Sequence, residues 1–341
     1  MNLKRLMIIA AATCAAAAAV SCKKDKDEET VTRDSFSGSL EVQGVLPFVL
    51  KGDTIHAVPA GLGDEGVDIG YYWTASPLMT DRDTVRHIGD PETNKGEFSL
   101  KVKDTLCTVT VSCTAFADGY YTKSASAYCT IVDPAFGGTL TKDGVDAEFP
   151  SVTDARDGQT YYYKKIGKLD WFVRNLAYGE TGVPFRRSAA MDGIFGRYYT
   201  WKAAQGACPA GWRVPSPDDW AALAGAAGYS GETSSVYAGI AGNLMADAYF
   251  NGEKMWEYWP TVKITNSTGF TAIPTGYGIL SSTGSTFYAG FEDAVYWTSA
   301  SQDGDLGVNM MINVNKPDLV GNAVSDDSFL ASVRCVRDSA E

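Results

Sequence analysis

The sequence predicts two folded domains, an all-β sandwich followed by a domain of mixed α and β structure. Three observations lead to this prediction. The chain has 341 residues, and at roughly 100 to 200 residues per domain this length accommodates two hydrophobic cores. Alternating apolar and polar residues recur in the first part, with no helical stretch between them. Seven of the eight Trp lie in the second part, between Trp171 and Trp297, so the composition changes along the chain.

The chain opens with a segment typical of a bacterial leader peptide. Two basic residues precede a largely apolar run from Leu6 to Val20, which is shorter than the roughly 20 residues that a membrane-spanning helix needs. The next residues, AVSC at 19–22, resemble the lipobox of bacterial lipoproteins, in which the Cys receives the lipid. We therefore expect residues 1–21 to be a lipoprotein signal peptide and Cys22 to be the anchor. The alternative is an ordinary signal peptide that is cleaved elsewhere, with Cys22 as an unmodified thiol.

Residues 22–35 are predicted to form a solvated tether, because they are polar and charged with no apolar period. Four acidic residues in the tether resemble the export signal that sends lipoproteins of the Bacteroidetes to the outer face of the outer membrane: Asp25, Asp27, Glu28 and Glu29. This resemblance implies an outer membrane lipoprotein that faces the cell exterior. A simple hydrophilic spacer, with the periplasmic face still open, is the alternative.

The charge of the chain restricts its partners. Its 41 Asp and Glu outnumber its 29 Lys and Arg, giving a formal net charge of −12, and loss of the leader with its two basic residues takes this to −14. Nucleic acid is not an expected partner, because neutralising phosphates requires clustered Lys and Arg. Anionic lipid headgroups would repel the mature chain, so the expected membrane contact is the lipid on Cys22.

Residues 36–133 are predicted to form an antiparallel β-sandwich, because short segments of period-two alternation are separated by turn residues. The pattern resembles the Ig-like or PKD-like modules of bacterial surface proteins, and we expect Trp73 to lie in the core of a central strand. His56 and His87 have no other ligand-type side chain at metal-binding spacing. We expect them to be ordinary surface histidines and the domain to act as a spacer that presents the second domain.

Three cysteines fall near the end of this sandwich. A three-residue loop centred on Asp118 would set Cys107 opposite Cys129 on neighbouring strands. In an oxidising compartment, a Cys107–Cys129 disulfide would leave Cys113 as a buried free thiol. The alternative is three reduced cysteines that pack as small hydrophobic residues.

The second domain follows a Gly-rich candidate linker at 134–150 and contains one strongly marked helix. Ser216 is suited to the N-cap, Pro217 to the first helical position and Asp219 to the third position of a capping box. Residues at helical spacing then form an apolar stripe: Trp220, Leu223, Ala224 and Ala227. We expect Trp212 and Arg213, immediately before the helix, to brace it.

Several blocks of the second domain resemble a known family. The blocks CPAGWRVPSPDDW, GFTAIPTGYG, YWTS and SVRCVRD, in this order, resemble the Fibrobacter succinogenes major paralogous domain, a module of secreted and lipid-anchored bacterial proteins, over residues 151–338. That family is grouped with the C-type lectin-like fold. The resemblance therefore implies a multidomain protein in which an N-terminal all-β Ig-like sandwich precedes an α+β C-type lectin-like domain. Trp201 and Trp297, which lie in such blocks, are expected in its core.

The second domain contains two cysteines, Cys208 and Cys335. A bond between them would close a loop of more than 100 residues, which the chain-entropy model values at about 4 to 5 kcal/mol. The pairing also resembles the disulfide that joins helix to last strand in C-type lectins. We predict a Cys208–Cys335 disulfide.

The residue types of the second domain exclude the catalytic sites that depend on histidine. It contains no His, which removes His-based triads, His-bearing zinc sites and His general bases. Neighbouring acids remain as candidates for carboxylate chemistry, and we interpret them as solvated loop acids: Glu292 with Asp293, Asp303 with Asp305, and Asp326 with Asp327. We expect no enzyme activity and no cofactor. Asp303 and Asp305 are weak candidates for a Ca²⁺ site, since DGDLG lacks EF-hand spacing.

Aromatic residues give the clearest functional indication. Trp256, Tyr258 and Trp259 lie within four residues of one another, so their rings cannot all face one core. Exposed rings stack on sugar faces and anchor protein interfaces, whereas the alternative is that these rings fasten a long loop to the body. Three further residues are candidates for the same ligand-binding surface: Tyr277, Tyr288 and Phe291.

These observations lead to two hypotheses. The first is a lipid-anchored, non-catalytic surface protein whose lectin-like head binds a glycan or a protein. The second is a structural or assembly subunit of a surface appendage or envelope complex, with the same surfaces buried against partners.

Overall fold

The structure is a computed structural model that describes residues 32–50, 53–77, 86–87, 98–101, 108–132, 149–250, 253–256 and 262–340. The predicted leader, Cys22 and most of the predicted linker lie outside these residues. Within the described part, no helix has the length and apolar character needed to cross a membrane.

The described residues of the first part form ten strands. They are β1 (Asp34–Ser35), β2 (Ser39–Gln43), β3 (Phe48–Leu50), β4 (Thr54–Ala60), β5 (Gly70–Pro77), β6 (Arg86–His87), β7 (Phe98–Lys101), β8 (Thr108–Phe116), β9 (Tyr120–Tyr121) and β10 (Lys123–Val132). A five-stranded sheet has the order β3-β10-β8-β5-β6, and a three-stranded sheet has the order β2-β4-β7. Apolar side chains from both sheets form one core: Leu40, Ile55, Ala57, Trp73, Val111, Cys113 and Ile131.

The sandwich departs from the purely antiparallel arrangement that the sequence predicts. Strand β3 pairs with β10 in parallel, and β1 pairs with β9 in parallel. The chain crosses from one sheet to the other between β2 and β3, so β3 is not joined to its neighbour by a hairpin. Trp73 is buried on β5 as predicted.

The register between β8 and β10 differs by two residues from the predicted one. Cys129 lies opposite Val109, because the connection is centred on Gly119 and not on Asp118. Gly119 adopts a φ of 79°, which glycine tolerates far better than other residues. Cys107 lies outside the described residues, so its disulfide with Cys129 stays a prediction. Burial raises the pKa of the Cys113 thiol to about 12, which keeps this buried cysteine protonated at neutral pH.

The second part, as far as the structure describes it, combines short strands with four α-helices. The strands are β11 (Ser151–Thr153), β12 (Thr160–Ile166), β13 (Leu169–Phe172), β14 (Val183–Pro184), β15 (Arg197–Tyr198), β16 (Val236–Tyr237), β17 (Tyr249–Phe250), β18 (Glu253–Lys254), β19 (Tyr277–Ser281), β20 (Gly284–Tyr288), β21 (Asp293–Gln302), β22 (Leu306–Asn313), β23 (Leu319–Ser325), β24 (Phe329–Leu330) and β25 (Val336–Asp338). The helices are α1 (Asp192–Phe195), α2 (Trp201–Ala204), α3 (Pro217–Ala226) and α4 (Ala241–Leu244).

The three larger sheets of the described second part organise it, beside the two-stranded sheets β14-β15 and β17-β18. The strand orders of the larger sheets are β11-β12-β13-β25, β16-β23-β22-β21 and β20-β19-β24. Helix α3 packs on the second sheet, where the ring centroids of Trp220 and Tyr296 are 5.8 Å apart. With its many sheets and few short helices, the chain is a β-dominated multidomain protein.

Helix α3 begins as the sequence predicts. The Asp219 backbone N–H donates to the Ser216 hydroxyl at 3.2 Å, and the Ser216 backbone N–H donates to the Asp219 carboxylate at 2.7 Å. Trp220, Leu223 and Ala224 are buried. Arg213 forms a salt bridge with Asp219 of the helix, as predicted, whereas Trp212 packs against Phe172 and Tyr163 and not against the helix.

The predicted Cys208–Cys335 disulfide is present, with the two Cα atoms 5.8 Å apart. It joins the segment before α3 to the residue preceding β25. Trp297 is fully buried as expected. Trp201 is only partly buried, because it covers the outer surface of β22 at Gly307, where a Cβ atom would lie 2.5 Å from the Trp201 ring.

The two parts of the chain share one hydrophobic cluster. Phe48 of β3 packs against Phe185 of the second part, with ring centroids 5.6 Å apart, and against Phe250 at 6.3 Å. The Ser188 hydroxyl donates a hydrogen bond to the Phe48 carbonyl oxygen at 2.5 Å. We call the residues around Phe48 and Phe185 the shared cluster; among its other members are Val132, Met191, Phe195, Tyr198 and Phe287. The first domain is therefore packed directly against the second.

Candidate functional site

The hairpin of β19 and β20 begins at a glycine that no other residue can easily replace. Gly276 adopts a φ of 72°, and a Cβ atom at this position would lie 2.2 Å from the carbonyl oxygen of Tyr288. Its N–H donates to the carbonyl oxygen of Asp293 at 2.7 Å. The glycine thus lets the chain pass close to the end of β20, and Tyr277 follows directly on β19.

The sheet β20-β19-β24 has a buried face and an exposed face. Phe287 and Leu330 are buried on the inner face, opposite Gly278 of the central strand. Phe287 contacts Phe185 and Tyr198 of the shared cluster, with ring centroids 5.1 and 4.9 Å apart. Because side chains alternate along a strand, the neighbours of these residues lie on the outer face.

Three aromatic rings form a row on the outer face, which we call the aromatic row: Tyr288, Tyr277 and Phe329. Tyr277 and Tyr288 are direct cross-strand partners, with ring centroids 5.8 Å apart and planes inclined by 28°. On its other side, Tyr277 stacks on Phe329 at 5.0 Å and 14°. Phe329 in turn meets the buried ring of Trp297 edge-on at 5.7 Å. The row is therefore anchored in the core at one end.

The other end of the aromatic row is open. Tyr288 lies on β20, the outermost strand of its sheet, and its side chain is 47% exposed. Tyr277 covers one face of this ring, and in the described part of the chain no strand lies beyond the other face. The three strands of the sheet carry no Lys, Arg, Asp or Glu, although the whole chain is strongly acidic. A flat ring with a neutral surrounding is suited to stacking on an apolar or sugar surface.

The structure brings only some of the predicted ligand-binding residues together. Tyr277 and Tyr288 are neighbours in the aromatic row. Phe291 lies elsewhere, with its ring centroid 5.8 Å from that of Phe195, because the turn after β20 redirects the chain: Ala289 adopts a φ of 50° and Phe291 one of 68°.

Trp256 does not belong to an exposed ligand-binding surface, and its prediction as a binding residue is wrong. Its side chain is 1% exposed, it packs in the core beneath α3, and its Nε1–H donates to the carbonyl oxygen of Ala272 at 3.3 Å. It fastens its loop to the body and offers no ring to a ligand. Tyr258 and Trp259 lie outside the described residues, so their role stays a prediction.

The prediction that the neighbouring acids are solvated loop residues is wrong for two of them, because Asp293 and Asp326 are buried and have side-chain partners. Asp293 is buried, which raises the pKa of its carboxyl group although the Asn313 side chain donates a hydrogen bond to it. Asp326 is buried and pairs with Lys202 at 3.2 Å. Asp303 and Asp305 are exposed at the turn between β21 and β22. Among the described residues, no three His, Cys, Asp or Glu side chains are arranged to hold a metal ion, so the Ca²⁺ expectation gains no support there.

Phe329 is the member of the aromatic row that the sequence analysis missed. It occurs in DDSFLAS, a short strand with a single large ring, and no periodicity marks it. Its place in the row depends on the pairing of β24 with β19, in which Phe329 lies opposite Ile279. That long-range pairing is not encoded in either segment alone.

Comparison with known proteins gives one family match. The family model described as Fibrobacter succinogenes major domain matches residues 165–337, just over half of the chain. Among solved structures, the chain is similar to the structure of the Yersinia pseudotuberculosis adhesin InvE at 10% identity and a TM-score of 0.21, over 89% of this chain and 70% of that one. A likeness at that TM-score carries no argument about fold or function. No curated protein sequence matches the chain.

Proposed function

The chain belongs to the Fibrobacter succinogenes major domain family, and from that premise we propose that it is a lipid-anchored, non-catalytic binding protein of the cell surface. Its second domain, with a C-type lectin-like fold, binds a glycan or a protein through the aromatic row. The first domain, an Ig-like sandwich, holds this head away from the membrane. Cys22 carries the lipid, and the acidic tether directs the protein to the outer face of the outer membrane.

The observation that carries this proposal is the open ring of Tyr288. Sugar rings present C–H groups on their faces, and aromatic side chains bind such faces by stacking while exposed hydroxyls form hydrogen bonds at the edges. The row is pre-organised, because Tyr277 and Phe329 hold each other in parallel and Trp297 supports them from the core. A ligand that stacks on Tyr288 therefore does not have to order the ring first.

A glycan array probed with the purified protein tests the proposal. The Tyr288→Ala variant is expected to lose at least tenfold in affinity for any glycan that the unmodified protein retains. The matched control is Tyr128→Ala, which removes a tyrosine that is 66% exposed on β10 of the first domain, and it is expected to bind normally. Equal binding by Tyr288→Ala and the unmodified protein would refute the role of the aromatic row.

The assembly hypothesis is the second candidate, and the edge position of β20 favours it. Ile279 is 36% and Leu280 is 37% exposed on the neighbouring strand, and an edge strand offers unpaired backbone groups to a strand of another protein. Chemical crosslinking on intact cells followed by purification distinguishes the two candidates. A fixed stoichiometric partner together with an empty glycan array supports assembly.

The location is tested separately. Protease treatment of intact cells is expected to remove the second domain, and Cys22→Ser is expected to release the protein from the membrane fraction. A protein that is protected from the protease while periplasmic controls stay intact contradicts display on the outer face.

A further inference from the structure

A groove lies on the opposite side of β21 from the aromatic row. Successive residues of a strand face opposite sides: Trp297 contacts Phe329 of the row, whereas Thr298 lines the groove. The groove has a volume of about 220 Å³. It lies beside Pro217, the first residue of α3, at the edge of the surface of the sheet β16-β23-β22-β21 that this helix covers.

The floor of the groove is apolar. Val308 lies opposite Ala323, and Met310 lies opposite Gly321, on the paired strands β22 and β23. Because Gly321 has no side chain, the floor is left open at this point; a Cβ atom there would contact the Met310 sulfur at 3.4 Å.

The wall of the groove carries hydroxyl and amide groups. Thr233, Ser234 and Ser235 form one side, and Gln302 lies at another. The Ser234 hydroxyl accepts a hydrogen bond from the Val236 N–H at 3.1 Å, and the Ser235 carbonyl oxygen accepts one from the Gly321 N–H at 2.6 Å, so this side is fixed to the floor. Within the described part of the chain, the Gln302 side chain has no hydrogen-bond partner.

No residue that lines the groove is charged, in a chain whose net charge is −12. The lining itself offers no carboxylate to a cationic ligand and no Lys or Arg to an anionic one, so it is matched to a neutral molecule. Its volume lies below the roughly 300 to 1,000 Å³ of pockets that take drug-sized ligands, so the enclosed part suits a single ring.

We propose that this groove is a subsite for one neutral sugar ring, with the apolar floor against a C–H face and the wall groups hydrogen-bonded to hydroxyls. This inference rests on the proposed function and deepens it, because it gives the ligand class as an uncharged saccharide and adds a contact separate from the aromatic row. A glycan that fills the groove is held on the side of β21 that Tyr288 does not reach.

Titration of the isotope-labelled protein, followed by NMR of its backbone amides, tests the proposal. The probes are methyl glycosides of neutral hexoses and of N-acetylhexosamines, with glucuronic acid as the charged control. At least one neutral glycoside is expected to shift the amide signals of Ser234, Val308 and Gly321 in a saturable way. Glucuronic acid is expected to leave them unchanged.

Two variants locate the binding. Ala323→Phe fills the groove from an exposed strand position and is expected to weaken binding at least tenfold. Gln302→Ala removes an exposed amide without filling space and is expected to weaken it several-fold. Ser126→Phe, which places the same ring on an exposed strand position of the first domain, is the matched control and is expected to bind normally.

The outcomes separate this inference from the function proposed above. Tyr288→Ala is expected to leave the glycoside-induced shifts of the groove amides unchanged. If this variant loses array binding but keeps those shifts, both proposals are supported. If no neutral glycoside shifts the groove amides, or if Ala323→Phe binds as well as the unmodified protein, the groove proposal is overturned while the aromatic row is unaffected.

Discussion

Asp154 is a buried carboxylate that ties a surface turn to the segment before the disulfide. Arg156 donates to both of its oxygens, at 2.9 and 2.6 Å, and also donates to the carbonyl oxygen of Ala207 at 2.6 Å. The guanidinium lies over the Tyr178 ring, 3.7 Å from its centroid. The hydrogen bonds from Arg156 hold the pKa of Asp154 below its usual value, against the opposing effect of burial.

This pKa shift predicts a specific loss of stability in acid. A carboxyl group whose pKa is lower in the folded than in the unfolded state stabilises the protein above the unfolded-state value, about 4, and this contribution is lost as the pH falls through the folded-state value. Asp154→Asn is therefore expected to be less stable than the unmodified protein at pH 7, with a difference that shrinks below pH 4. Urea unfolding at pH 7, 4 and 3 measures it. Asp118→Asn, at an exposed turn, is expected to show no such convergence.

Arg334 shows what the block SVRCVRD does in the fold. Its buried side chain donates to Asn175 Oδ1 at 2.7 Å and to the carbonyl oxygens of Phe172, Phe270 and Thr271 at 3.0, 2.6 and 2.7 Å. A short neutral side chain would leave these buried oxygens without donors. The block is recognisable in the sequence by resemblance, but the role of this arginine is not, because its partners come from two distant segments, 172–175 and 270–271.

At the scale of the element, helix α3 and the β19–β20 hairpin differ in how well the sequence predicts them. Ser216, Asp219 and the apolar stripe lie within one continuous stretch, so the start of α3 and its buried face follow from local rules. The aromatic row depends on three strands pairing in one register. A sequence alone gives the aromatic residues of each strand but not which of them become neighbours, and this is why Tyr277 and Tyr288 were predicted while Phe329 was missed.

The hairpin is expected to be sensitive at Gly276. Replacement by Ala adds a Cβ atom 2.2 Å from the Tyr288 carbonyl oxygen and forces a non-glycine residue to a φ of 72°. We expect a loss of at least about 2 kcal/mol in the free energy of unfolding, together with altered tyrosine signals in near-ultraviolet circular dichroism. Gly304→Ala is the comparison, because this glycine also has a positive φ but its Cβ would have open space. Similar losses in both variants would contradict the steric argument.

At the scale of the whole molecule, the disulfide closes most of the second domain. Cys208 and Cys335 are 127 residues apart, and the chain-entropy model values a loop of this size at about 4 to 5 kcal/mol. The double variant Cys208→Ser, Cys335→Ser is expected to lose several kcal/mol in urea unfolding under non-reducing conditions. Two free thiols in a non-reduced digest of the unmodified protein would show that the bond does not form.

The shared cluster predicts that the two domains unfold together. Phe48→Ala is expected to cost about 3 to 5 kcal/mol, typical of a buried Phe reduced to Ala. It is also expected to split the calorimetric transition into two, because the first domain loses its main ring contacts with the second. Tyr128→Ala, at the exposed position used above, is expected to keep one transition. A single unchanged transition in Phe48→Ala would contradict the coupling.

The sequence predicted a β-rich multidomain chain and the Cys208–Cys335 disulfide, yet the first domain was expected to be an independent spacer. The reason is physical: Phe48 reads as an ordinary core residue of a short strand, and nothing local reveals that its ring points to another domain. Contacts between domains depend on the complementarity of two folded surfaces. They therefore cannot be predicted from the local sequence of either domain.

The shared cluster also predicts which contacts of the molecule separate first when it is pulled. Under the proposed function, a pull between the first domain and a ligand at Tyr288 would cross the contacts of Phe287, Phe185 and Phe48, which are non-bonded. The Cys208–Cys335 bond closes a covalent loop of residues 208–335, which contains the sheet β20-β19-β24. We expect the non-bonded contact between the domains to separate under load before the sheet β20-β19-β24 comes apart, because that sheet lies within the disulfide loop.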